Sequence, residues 1–291
     1  MKHDEHTSVL TKEVMSALSP KKGEVVVDAT YGQGGHSRAI QSIAKVTLVA
    51  IDADPAVLQS SRQAAEVLTA NFADLGVVLK KLHIEKIDKA LFDLGWNRGQ
   101  LRSGRGFSFQ NDEPLTMSYA ATPRSGFTAA DILNQWSEKA IADVLFGYGE
   151  ERYARPIARA IVARRKIKPV QTTIELVEII RDAVPPAYRR GRLHPATRSF
   201  QALRIAVNDE LKVIERGLQA AWEHLACNGR IAVISFHSIE DRLVKQTFRR
   251  LAGEGGRLLY KKPRTPSRAE SVANPSARSA KLRAIEKICN R

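Results

Sequence analysis

The sequence predicts an α/β fold, a parallel sheet domain interrupted by an inserted all-helical domain. Three observations predict it. Over the first hundred residues short apolar runs alternate with helical patterns, as in repeated β-α units. From about 103 to 198 no strand-like run stands out, but several amphipathic helices do. The β-α pattern then returns. The expected division is a discontinuous sheet domain, 1–102 and 199–291, around a helical insertion, 103–198.

Element by element, 24–28 reads as a first strand, 29–34 as a turn and 35–43 as a helix. A second strand, 46–51, leads through Asp54-Pro55 into a helix reaching Leu68; Pro55 suits a first helical turn, where its missing N–H costs nothing. Strands near 68–72 and 89–93 follow. In the insertion, apolar spacing predicts helices over 129–145, 150–165 and 172–184, the last with Thr173 as N-cap before Glu175. A connection rich in proline and arginine, 185–195, leads to a long helix over 199–225, a turn at 227–229 and a strand over 230–236. The stretch 253–280, rich in Gly, Pro, Ser and Arg, reads as a mobile loop.

The 43% hydrophobic content suits a globular core, and no run approaches the roughly 18 apolar residues of a membrane span. Residues 1–7 are polar and carry no signal-peptide core. Cys227 and Cys289 are too few for a disulfide framework or a cysteine metal site, so a reducing cytoplasm is the default location. The net charge of +15 is localised. Residues 1–100 hold 12 basic and 12 acidic groups, whereas 150–204 hold 13 against 5 and 242–291 hold 14 against 3. Basic surface confined to particular segments suits a phosphate-bearing partner. A solubilising surface or an acidic protein partner is the alternative.

The string Val-Val-Val-Asp-Ala-Thr-Tyr-Gly-Gln-Gly-Gly-His over 25–36 places an acid at a strand end and three glycines in the following turn. Glycine serves where backbone needs positive φ or must approach a ligand closely. In doubly wound folds this first β-α turn lies at the mouth of the ligand crevice. Asp52 closes the next strand, 24 residues after Asp28, where a carboxylate can accept hydrogen bonds from both hydroxyls of a ribose. The Gly-x-Gly-Gly spacing fits a dinucleotide pyrophosphate poorly and a nucleoside without phosphate better; a plain strand-to-helix joint is the alternative.

Further strings make the sequence specific: His6-Thr-Ser-Val-Leu10, Asp93-Leu-Gly95, Arg105-Gly-Phe-Ser-Phe109 and Tyr148-Gly-Glu-Glu151. They continue with His194-Pro-Ala-Thr-Arg-Ser-Phe-Gln-Ala-Leu-Arg204, Ser235-Phe-His-Ser-Ile-Glu-Asp-Arg242 and Asn274-Pro-Ser-Ala-Arg-Ser-Ala-Lys-Leu-Arg283. Together they resemble the MraW/RsmH family of bacterial ribosomal RNA methyltransferases, in the family's order from about residue 6 to 283. The resemblance implies a Rossmann-like, S-adenosylmethionine-dependent methyltransferase sheet domain carrying a helical substrate-recognition insertion. It implies methyl transfer to the exocyclic N4 of a cytidine in the decoding region of small-subunit (16S) ribosomal RNA, with the RNA or the 30S subunit as partner. The cofactor positions it carries over are Gly34, Gly35, His36, Asp52, Phe72, Asp93 and Gln100. Without it, Phe72 reads as ordinary core and His36 as a first-turn helix residue.

One stretch departs from the family. After Asp93-Leu-Gly95, where relatives usually continue with Ser-Ser and then Pro-Gln, this chain has Trp96-Asn97-Arg98-Gly99-Gln100. The Asp/Asn-Pro-Pro-aromatic string of other amino-methyltransferases is absent, so Asn97 is the candidate catalytic acceptor for the amine. Trp96 is either a stacking surface or packing beneath the insertion. His237 and Glu240-Asp241 either line the RNA entrance or cap a helix, with Ser238 and Asp241 fitting a helix start. A metal site of His and acids has little support here, and Ser235 and Ser238 lack a serine-hydrolase elbow. The basic candidates for RNA are Arg152, Arg155, Arg159, Arg164, Arg165, Lys166, Arg189–Arg192, Arg198 and the tail from Arg242; helical arginines can equally form a solvated face. An RNA-binding or assembly protein of weak or no activity is the competing function.

Overall fold

The structure is a computed structural model that describes residues 8–55, 57, 67–95, 101, 103–120 and 123–289. The chain divides into two compact units, Met1–Gly95 with Leu211–Arg291, and Trp96–Glu210. The first begins with helix α1 (Thr11–Leu18), which the sequence reading missed; Val14, Ala17 and Leu18 form its buried face. Strand β1 (Val25–Asp28), helix α2 (Gly35–Ile43) and strand β2 (Thr47–Asp52) follow as expected to within a residue or two. Most of the helix expected over 54–68 lies outside the described residues. Its far end is corrected, because Val67–Thr69 is strand β3. Phe72 lies in a 3-10 turn (Phe72–Asp74) rather than a strand, since Asn71 accepts the Ala73 N–H and bends the chain. Helix α3 (Leu75–Lys81) and strand β4 (Ile87–Asp93) complete this half.

The second unit contains α4 (Ala129–Gln135), α5 (Glu138–Gly149), α6 (Ala154–Arg165), α7 (Thr173–Ala183), α8 (Pro186–Arg189) and α9 (Thr197–Asn208). The single helix expected over 129–145 is two, because Trp136 is extended and Ser137 caps α5 by accepting the Ala140 N–H. The cap of α7 is Thr172, not Thr173: Thr172 and Glu175 satisfy each other's backbone N–H groups in a capping box. Leu133, Leu145, Ile157, Ile161, Leu176, Ile180 and Leu203 form one fully buried core. Gly149 lets α5 meet α9; a Cβ there would lie 2.5 Å from the Arg198 carbonyl oxygen.

The helix expected over 199–225 breaks at Asp209, which takes a left-handed φ of 51°, before α10 (Glu210–His224) begins. Strand β5 (Leu225–Ser235) absorbs the expected turn at 227–229 as an irregularity, with Asn228 at positive φ and a register shift against Ile87 and Lys89. Helix α11 (Ser238–Gly253), strand β6 (Gly256–Leu258), helix α12 (Arg268–Ala273), a second 3-10 turn (Pro275–Ser279) and strand β7 (Lys281–Lys287) end the fold. The stretch read as a mobile loop thus carries regular structure. Local capping explains it: Asn274 accepts the Ser276 N–H, and Arg264 bridges to Leu282. Cys227 and Cys289 are joined as a single disulfide.

The sheet order is β3-β2-β1-β4-β5-β7-β6, parallel from β3 to β5, with β7 running antiparallel between β5 and β6. Leu79, Leu218, Trp222 and Phe248 cover one face, and Leu10, Val14, Leu18 and Ile40 belong to a separate core with β7. Both faces of the parallel strands are therefore buried, as such a sheet requires. Among the described residues no helix is long and apolar enough to cross a membrane.

Candidate active site at the first β-α turn

The ends of β1, β2 and β4 and the start of α2 converge on one place. Asp28 closes β1, and its buried carboxylate accepts the Ser37 hydroxyl at 2.6 Å and the Thr30 N–H at 3.3 Å. Thr30 in turn accepts the Asp93 N–H at 2.7 Å, tying the turn to the end of β4. Gly32 and Gly34 take positive φ, and the Tyr31 ring lies so close over Gly34 that an added Cβ would sit 2.5 Å from its oxygen. Gly35 is packed as tightly against the Ser8 side chain, which closes over the turn. Leu10 is held from far along the chain, its N–H donating to Glu270 at 2.7 Å.

Asp52 ends β2 with one oxygen accepting the Gly32 N–H and the other the Asp54 N–H, at 2.8 and 2.9 Å. An ionised carboxylate has about four lone-pair positions, so two remain for a vicinal diol. Burial pushes its carboxyl above the usual range, against the two backbone hydrogen bonds. His36, in the first turn of α2, is buried with Nε2 at 3.5 Å from Asp93 Oδ2, an ion-pair distance too long for a hydrogen bond. Burial works against its imidazolium, but the carboxylates of Asp93 and Asp28 outweigh that and raise its pKa above 6.5.

The structure thus brings Gly34, Gly35, His36, Asp52 and Asp93 together. Phe72 is half-buried, edge-on to Phe92 at 5.5 Å and against Gly217 of α10. Gln100, Asn97 and Trp96 lie outside the described residues. Sequence reasoning missed Thr30, Tyr31 and Ser37, although all three lie in or beside the glycine string it had singled out.

Other motifs resolve into local structure. His237, not Ser238, caps α11: it accepts the Glu240 N–H, while buried Glu240 reaches back to the Phe236 and His237 N–H groups. Asp241 is paired with Arg283 at 2.7 Å and with Lys281, joining two of the strings that lie 42 residues apart. Within the helical unit, Glu151 accepts the Tyr188 hydroxyl at 2.7 Å, and Arg152 lies over the rings of Tyr153 and Tyr188. Arg165 and Arg198 donate to the Leu133 and Glu150 carbonyls. Arg155, Lys166, Arg190 and Arg192 stay exposed.

Residues 3–288 match the profile of the MraW methylase family. The chain belongs to that family. Ribosomal RNA small subunit methyltransferase H from Kosmotoga olearia is 44% identical over 298 residues, covering 98% of both chains. The protein of that name from a Sulfurihydrogenibium species is 44% identical over 293 residues, covering 98% of this chain and 99% of its own. The methyl donor of this methylase is S-adenosylmethionine. The turn suits it. Both ring nitrogens of His36 and Oδ1 of Asp93 are buried with no hydrogen-bond partner among the described residues, donors and acceptors that a polar ligand in the turn would satisfy.

Linkage gives this family member a pH test. His36 has its folded pKa raised above the unfolded 6.5, so its contribution to stability is full below that pH. It fades as pH rises through the folded value. Denaturant melts from pH 5 to 9 should show the wild-type advantage over His36→Gln greatest at the acid end. An advantage that grows with pH would show that the imidazolium is not the stabilising form.

Proposed function

We propose that the chain transfers a methyl group from S-adenosylmethionine to the N4 amine of a cytidine in the decoding region of 16S ribosomal RNA, in the cytoplasm. The near end-to-end 44% identity with ribosomal RNA small subunit methyltransferase H carries this reading. S-adenosylmethionine supplies an electrophilic sulfonium methyl. Asp52 holds the ribose; Gly34 and Gly35 let the backbone approach the nucleoside, and Asp93 and His36 present charge to the methionine end. A cytosine amine is a weak nucleophile because its lone pair is delocalised into the ring. The protein must therefore align the amine and exclude water rather than supply a strong base. Asn97 is proposed to accept a hydrogen bond from the amine through its side-chain carbonyl and so orient its lone pair, with Trp96 as the stacking surface. The surplus proton leaves to water after methyl transfer. The target base must leave any stack to reach the turn, which costs least in unpaired RNA.

The test incubates the protein with labelled S-adenosylmethionine and undermethylated small subunits, then maps the product by mass spectrometry. A single N4-methylcytidine in the decoding region is the expected result. Cofactor binding without transfer would favour an RNA-binding or assembly protein, the reading to which the unusual 96–99 stretch points.

A further inference from the structure

A cavity of about 250 Å³ opens in the sheet unit between α11 and the paired strands β6 and β7. It stands at the far edge of the sheet from the glycine turn, which lies at β1, β2 and β4. Phe248 and Ala284, both buried, form its floor, and Leu258 and Tyr260 form an apolar wall partly open to water. Arg264 lies over the Tyr260 ring at 4.6 Å and holds it in place.

Charge distinguishes this cavity from an ordinary solvated face. Neighbouring cations are neutralised: Arg250 by Glu254, Arg257 by Glu286 and Arg283 by Asp241. Lys245, Arg249 and Lys261, which line the cavity, have no acidic partner among the described residues, and no acid lines it. Three unpaired cations around an apolar wall repel one another until an anion arrives. The matching ligand is flat and apolar on one side and phosphorylated on the other. Pockets for drug-sized ligands run from roughly 300 to 1,000 Å³, so this smaller one admits a single base. Stacking on an aromatic ring with phosphates along a basic rim is how single strands are held without base readout.

We propose that this cavity is a second RNA site, which seats one unpaired nucleotide of the substrate RNA with its base on Tyr260 and Leu258. The flanking phosphates lie on Lys245, Arg249 and Lys261. The site rests on the reading that the chain acts on ribosomal RNA, and its work is to anchor the RNA away from the reacting base.

The experiment compares the full chain with the triple variant Lys245→Gln, Arg249→Gln, Lys261→Gln, with Tyr260→Ala, and with a control triple, Lys12→Gln, Lys22→Gln, Lys80→Gln. Affinity for a labelled single-stranded oligoribonucleotide is measured across a salt series, and methyl transfer to small subunits is measured on the same preparations. Each lost phosphate contact lowers the log–log salt slope by about 0.7. The cavity triple should therefore lose about 2 from the slope and bind at least about tenfold more weakly. Tyr260→Ala should bind more weakly with the slope unchanged, and the control triple should match wild type. Equal losses in both triples would overturn the proposal. So would a cavity that binds a free nucleoside monophosphate while its substitution leaves RNA affinity unchanged. Wild-type protein that methylates subunits beside an unimpaired cavity triple overturns the cavity alone. Wild-type protein that neither binds nor methylates RNA overturns both readings.

Discussion

Replacing Asp52 by alanine is expected to lower S-adenosylmethionine affinity by at least about 100-fold while the protein stays folded. Hydrogen bonds to a charged group contribute roughly 1.5–3 kcal/mol each, so losing a bidentate grip on a diol exceeds that threshold. The same carboxylate holds the Gly32 and Asp54 N–H groups, so the substitution also loosens the turn. Asp52→Asn separates the two effects: its amide keeps one acceptor and should fall between wild type and alanine. Isothermal titration and a melting curve on each variant provide the readouts. Unchanged affinity in Asp52→Ala would remove the ribose assignment; unfolding in both variants would make Asp52 a residue of the fold.

The second large effect is expected in the helical unit. Arg204 and Glu210 are both nearly buried and paired at two points, Nε to Oε1 at 2.8 Å and Nη2 to Oε2 at 2.9 Å. Glu210 also accepts the Tyr119 hydroxyl, and Asn208 between them accepts the Tyr119 N–H and donates to the Met117 carbonyl. Removing one member of a buried pair leaves a charge out of water without its counter-ion, which costs about 3–5 kcal/mol. Arg204→Leu should destabilise the protein by that amount in urea melts, and Arg204→Lys by less, because a point charge cannot replace the fork. A loss below about 1 kcal/mol would mean that the pair is solvated in solution.

These two residues mark how far the sequence could be read. Asp52 was legible because it closes the apolar run 46–51, 24 residues after Asp28, the acid that precedes the glycine turn. Arg204 was visible only as part of a family string; its partner six residues on lies beyond a helix break at Asp209, and helical periodicity runs straight through that break. Thr172 and His237 show the same weakness: several adjacent polar residues could each cap a helix, and only backbone geometry selects one. Strand β7 went unread because its run, Lys-Leu-Arg-Ala-Ile-Glu-Lys, carries charges that are partnered only through distant contacts such as Asp241 with Arg283 and Arg230 with Glu286. The alternation of apolar runs with helical patterns sufficed for the sheet, because a parallel sheet buried on both faces leaves that imprint.

The place of β7 bears on how the protein comes into being. A chain is made from its N-terminus, and its early segments can begin to fold while later ones are still being added. Here the strand between β5 and β6 is supplied by residues 281–287, and among the described residues β6 pairs with no other strand of the sheet. Until those residues emerge from the ribosome, β5 presents an open edge and the core around Leu282 and Ile285 is unfilled. Termination before residue 281 would thus leave an unfinished sheet with an exposed, aggregation-prone margin.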